Sequence, residues 1–121
     1  MEKEFVPYEE ALALKELGFD EPCFAVYFNT TQQLYFDKYI NEFTKDVRTL
    51  APIFSQAFRW FREKHSLHSN VKCINTTYNN HFRFEIESNS ETLYCRNLFD
   101  THEEAELACL RKLIEIVTQK Q

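Results

Sequence analysis

Thr101 to Val117, THEEAELACLRKLIEIV, decides how the rest of the chain is read. The Thr101 hydroxyl can cap a first helical turn, and Glu104, three residues on, can reach back to the Thr101 amide, which makes a capping box. Glu103 and Glu104 also lie where a helix dipole is positive. At about 100° per residue, Ala105, Cys109, Leu110, Leu113, Ile114, Ile116 and Val117 cover about half the wheel. Lys112 and Glu106 fall at its margins, with Arg111 and Glu115 on the wet side. A stripe that wide belongs to a helix packed into a core. The stretch announces a helix that closes a core and no chemistry.

The remaining elements follow outward from it. Pro7 to Leu17 reads as a first helix, with Tyr8, Ala11, Leu12, Leu14 and Leu17 at helical spacing. Gly18, the only glycine in the chain, stands where a left-handed cap is needed, and Phe19 is placed to pack back on Leu14. Cys23 to Phe28 and Gln33 to Tyr39 read as two strands around a polar turn. Asn41 to Leu50 has weak periodicity and reads as a flexible loop. Pro52 to His65 reads as a second helix, filled on one side by Ile53, Phe54, Ala57, Phe58, Trp60 and Phe61. Val71 to Tyr78, His81 to Ser88 and Thr92 to Leu98 read as three more strands, with Asn79-Asn80 a tight turn. In the middle one Phe82, Phe84 and Ile86 face in while Arg83, Glu85 and Glu87 face out. The order α-β-β-α-β-β-β-α, with short turns between neighbouring strands, predicts an α+β fold: one domain over residues 1–121, an antiparallel sheet packed by helices.

Composition narrows the function classes. The 121 residues include 12 Phe, 6 Tyr and 1 Trp, enough for one proper core. The net charge of −5 suits neither nucleic acid nor an anionic membrane as a whole-surface partner. It is uneven: Met1 to Glu21 is net −5, and Lys45 to Lys64 is net +3. Met1 is followed by Glu2, Lys3 and Glu4, so neither a signal peptide nor a membrane span is expected, and the protein is placed in the cytoplasm. Cys23, Cys73, Cys95 and Cys109 then read as reduced thiols without a C-x-x-C pair. The Asn29-Thr30-Thr31 and Asn75-Thr76-Thr77 sequons read as chance matches.

No catalytic spacing emerges, so the expectation is a protein that is not an enzyme and uses no cofactor and no metal. His65 and His68 form an H-x-x-H without further ligands at a metal-site spacing. His102-Glu103-Glu104 lacks the second histidine of a zinc hydrolase. One glycine excludes glycine-rich phosphate loops. Two binding sets remain. Arg59 and Arg62 share a helix face beside Trp60, a combination that suits an acidic partner or a nucleotide; the bland alternative makes Trp60 core and pairs the arginines with Glu63, Glu85 or Glu87. Tyr27, Tyr35 and Tyr39 are expected to share one face of the first hairpin, opposite Phe24, Val26, Phe28 and Phe36, with Asp37 and Lys38 at the rim. That face is either a partner or self-association surface or is covered by the first helix.

Three blocks, PYEEALALKELGFDEPC, SQAFRWFREKH and THEEAELACLRKLIEIV, resemble in order and spacing those of small uncharacterised proteins encoded by bacteriophages and bacterial mobile elements. The resemblance covers most of the chain and implies an accessory protein in a bacterial host cell, acting through protein–protein contact. Separately, Pro52 to Val117 resembles the α-β-β-β-α topology of double-stranded-RNA-binding domains. Aligning that family's K-K-x-A-K motif on Ala105 puts its lysines at His102, Glu103 and Glu106, and the Tyr78 to His81 loop lacks the family's Gly-Pro. Double-stranded RNA is therefore not expected as a partner. The alternative function is a nucleic-acid or nucleotide binder using the basic segment Lys45 to Lys64.

Overall fold

The structure is a computed structural model that describes residues 2–36, 47–75, 77, 79–89, 91–95 and 97–120. It is α+β: the described residues form three α-helices and two antiparallel three-stranded sheets. The chain falls into two compact units, Met1–Ala57 and Phe58–Gln121.

In the first unit, the α1 helix (Tyr8–Glu16) follows Pro7, whose missing amide costs nothing at a helix start. Its far end is a Schellman cap. Phe19 N–H donates to the Leu14 carbonyl at 3.0 Å and Gly18 N–H to that of Lys15 at 3.0 Å. Gly18 sits at φ +99°, a region that side-chain-bearing residues avoid. Phe19 and Leu14 are both buried, closing the apolar contact that accompanies such caps.

Strand β1 (Ala25–Phe28) is central in the first sheet, between β2 (Gln33–Phe36) and β3 (Arg48–Ala51). β3 lies where the loop over 41–50 was expected; residues 41–46 are outside the described residues. Its signal is weak because the side facing the core is built from small residues, Thr49 and Ala51, both fully buried. Asn29 N–H donates to the Val47 carbonyl at 2.8 Å, and the Thr49 hydroxyl donates to Asn29 Oδ1 at 2.6 Å, which ties β3 to the end of β1. The segment before α1 is anchored as well, through a bridge between Phe5 and Ile53 and a 2.9 Å bond from Val6 N–H to the Pro52 carbonyl.

Helix α2 (Phe54–His65) begins two residues after Pro52. Ser66, at φ +54°, turns the chain out of it, and Leu67 N–H closes the turn on the Phe61 carbonyl at 3.2 Å. In the second unit β5 (Asn80–Glu87) is central between β4 (His68–Asn75) and β6 (Thr92–Tyr94). Asn75 pairs with Asn80, so residues 76–79 connect the two long strands, where a tight turn at Asn79-Asn80 was expected. After β6 the chain keeps to the edge of β5: Cys95 N–H donates to the Phe84 carbonyl, and Phe82 and Phe99 exchange bonds of 2.9 and 2.7 Å.

The α3 helix (His102–Lys120) packs on β4 and β5. Half of the expected capping box is formed: Glu104 N–H donates to Thr101 Oγ1 at 3.1 Å, a cap that stabilises by about 0.5–2 kcal/mol; the return bond from the Glu104 carboxylate to the Thr101 amide is not made. Ala105, Cys109, Leu110, Leu113 and Val117 are buried, and so are Phe84 and Ile86. On the other face of β5, Glu85 departs from the expected outward-facing pattern. It is only 5 % exposed, lying under Lys72 Nζ at 3.2 Å and Arg83 Nη2 at 3.9 Å. It sits on the central strand, and the register sets Lys72 directly across from Arg83, so two long cations fold over one carboxylate.

Candidate functional site

The hairpin tyrosines do not share a face. The β1–β2 turn spans Asn29 to Gln32, and the register pairs Val26 with Tyr35, Tyr27 with Leu34, and Ala25 with Phe36. Directly opposed residues point to the same side of a sheet, so Tyr35 belongs with Val26 and Phe28, while Phe36 belongs with Tyr27. Tyr27 is core: its hydroxyl donates to the Val6 carbonyl at 2.7 Å, and its ring meets that of Tyr8, on α1, edge-on at 5.5 Å. Tyr35 is 41 % exposed, with its ring edge-on to Phe28 at 6.2 Å and its hydroxyl donating to Gln33 Oε1 at 3.3 Å. Tyr39, Asp37 and Lys38 lie outside the described residues.

What the hairpin does expose is an aromatic end. Phe24 is 74 % exposed and Phe36 43 %. Phe24 lies in the bend just before β1, and Phe36 leans on Phe5 at 5.2 Å. Among the described residues β2 is also an edge strand of its sheet.

The arginine–tryptophan set is not assembled either. Trp60 is 4 % exposed and packs edge-on against Phe61 at 5.1 Å and His65 at 5.0 Å. Arg59 approaches Glu63 at 3.7 Å, a half-exposed pair one helical turn apart of the kind that contributes little. Arg62 is exposed. The basic segment is divided as well: Arg48 lies in the first unit, and Arg59, Arg62 and Lys64 in the second. Lys45 lies outside the described residues.

A cleft of about 370 Å³ that sequence reasoning missed lies within the first unit. α1 supplies Ala11 and Lys15, its cap supplies Gly18, Phe19 and Asp20, and β3 supplies Arg48 and Leu50. The floor is apolar, with Ala11 and Phe19 buried. Lys15 Nζ donates to the Arg48 carbonyl at 2.9 Å, which holds its charge at the rim. No short motif could have revealed this cleft, because Lys15 and Arg48 are 33 residues apart and β3 was not recognised as a strand.

Two of the thiols, Cys23 and Cys109, are poor nucleophiles. Burial, then Glu21, pushes Cys23 up to about 12, and burial is the main cause that takes Cys109 to about 12 as well. Both stay protonated at neutral pH. Burial, helped by Lys120, lowers the His65 pKa. No helix among the described residues is long and apolar enough to cross a membrane.

These features define a small α+β protein with an exposed aromatic edge and a separate charged cleft. No family model, curated protein or solved structure matches the chain.

Proposed function

We propose that the protein is a non-enzymatic accessory protein that works by binding another protein, with the aromatic end of the β1–β2 hairpin as its contact surface. The carrying observation is Phe24, an aromatic side chain left 74 % exposed just before β1 of the hairpin that also carries the half-exposed Tyr35. Burying a phenylalanine is worth roughly 1.5–3 kcal/mol, and aromatic residues are enriched at the centres of interfaces. The sequence blocks resembling phage and mobile-element proteins support a role of this kind in the cytoplasm of a bacterial cell.

Affinity capture from bacterial lysate, run in parallel with wild type and Phe24→Glu, tests the reading. Phe24 is exposed, so the variant should keep its thermal midpoint while losing a specific captured protein. Sedimentation of both forms covers the case in which the partner is a second copy. Identical capture profiles together with identical sedimentation would remove the hairpin as the contact surface.

A further inference from the structure

Among the described residues β4 is an edge strand, eight residues long. Its backbone groups can be assigned one by one. Phe82 and Phe99 exchange bonds, and the Phe84 carbonyl accepts from Cys95 N–H, so Phe82 and Phe84 turn their backbone groups away from β4. Successive residues of an antiparallel ladder alternate in this respect. Arg83 and Glu85 therefore bond to β4, and the register makes Lys72–Arg83 and Asn70–Glu85 the bonded pairs. Ser69, Val71 and Cys73 are left with their N–H and carbonyl groups directed outward. Among the described residues no backbone bond reaches them from that side, and β4 packs on β5 and α3.

Sheet edges commonly carry a safeguard against further pairing: a proline, a bulge, or charges standing out over the edge. β4 contains no proline, and its pairing with β5 runs unbroken from His68 to Asn75. Its only formal charge is Lys72. That side chain turns back over β5, where its Nζ lies 3.2 Å from the nearly buried Glu85 carboxylate. The one charge that could block the edge is thus held away from it.

The strand this edge fits best is its own copy. Pairing about a two-fold axis allows few registers, and charge separates them. An axis at Lys72 sets Lys72 and Arg83 against the same two cations of a second copy, and like charges directly opposite are destabilising. An axis at Cys73 puts Lys72 across from Ile74, with His81 beyond it. An axis at Val71 puts Lys72 across from Asn70, with Glu85 next in the row. That row runs Arg83 and Lys72 from one copy, then Asn70 and Glu85 from the other, and the symmetry repeats it. The same register matches outward groups with outward groups: Val71 with Val71, Ser69 with Cys73, and Cys73 with Ser69, giving about six backbone hydrogen bonds. We propose that the protein forms a two-fold dimer through β4 in this register, joining two three-stranded sheets into one.

A contact made mainly of backbone bonds belongs with transient interfaces. Sedimentation equilibrium in reducing buffer should show reversible dimerisation, half-complete on the order of 0.1 mM. Asn70→Lys separates the contact from the fold. Inside one copy the new charge lies across from Glu85. In the dimer it opposes Lys72, twice by symmetry, so association should fall by about tenfold or more. The double variant Asn70→Lys/Lys72→Asn exchanges the two side chains, again sets a lysine against an asparagine, and should restore dimerisation. Cys73→Pro removes an outward N–H that β5 does not use; it should also weaken the dimer, and it serves should Asn70→Lys fail to fold. Phe24→Glu should leave dimerisation unchanged, which separates this surface from the hairpin. The β4 dimer is refuted by a wild type that stays monomeric at about 1 mM, by full association in a folded Asn70→Lys or Cys73→Pro, by no recovery in a folded exchange variant, or by loss of dimerisation in Phe24→Glu.

Discussion

Replacing Gly18 separates two costs that are usually mixed. Beyond its chain neighbours, an alanine there meets no atom of the described residues within 4 Å, so no crowding among them counts against it. What remains is the backbone at φ +99°. A side chain in the left-handed region costs roughly 1–2 kcal/mol, and alanine recovers about 0.4–1 kcal/mol by stiffening the unfolded chain. The net for Gly18→Ala is then a loss of about 1 kcal/mol. The backbone has no cheaper escape. Leaving the left-handed region would break the Phe19–Leu14 and Gly18–Lys15 bonds, worth about 0.5–1.5 kcal/mol each. It would also pull Phe19 from its 3 % exposure, at roughly 1.5–3 kcal/mol more. Strain is the lesser loss, so the cap should survive in Gly18→Ala. Gly18→Val should cost more, because a β-branched side chain fits positive φ worst. Urea titrations followed by circular dichroism measure both. Equal midpoints for the two variants, or a Gly18→Ala at least as stable as wild type, would refute the reasoning.

Two further outcomes follow from the same physics. Tyr27→Phe should lose about 1–3 kcal/mol, the cost of leaving the buried Val6 carbonyl unpaired, whereas Tyr35→Phe, at a 41 % exposed position, should change stability by less than about 0.5 kcal/mol; chemical denaturation of the pair checks the contrast. For Cys109, burial lifts the pKa in the folded chain to about 12, above the ordinary thiol value of 9.0, so the unfolded chain loses its proton first and the thiol's contribution, intact below pH 9, is lost as pH rises from 9 towards 12. The urea midpoint should therefore fall less steeply between neutral pH and pH 10.5 in Cys109→Ala than in wild type, and parallel slopes would contradict it.

What could be read in advance was what depends on near neighbours. The Thr101 hydroxyl cap and the Gly18 cap each involve residues within about one turn, and both are formed. The hairpin shows a finer limit. Its four-residue turn sets which residues oppose one another, and that spacing was available in the sequence. Sorting tyrosines from phenylalanines by polarity overrode it and put Tyr27 and Tyr35 together. β3 was hidden because Thr49 and Ala51 are too small to mark a buried side, and because its partner strand lies some twenty residues away. Glu85 was read as wet because its cover comes from Lys72 on a neighbouring strand, a pairing only the register reveals. The cleft needs both α1 and β3 in place, so missing the strand meant missing the site.

The bond between Thr49 and Asn29 Oδ1 has a practical consequence for producing this protein. Asn29 begins an Asn-Thr-Thr sequon, and its side-chain oxygen closes the junction of β1 and β3 at 2.6 Å. Secretion from a eukaryotic expression host would present that side-chain nitrogen to the glycosylation machinery. An attached sugar would then sit one atom from the bond that holds the third strand. Bacterial expression leaves the junction untouched, and material from the two kinds of host should not be compared for stability until occupancy at Asn29 has been measured by mass spectrometry.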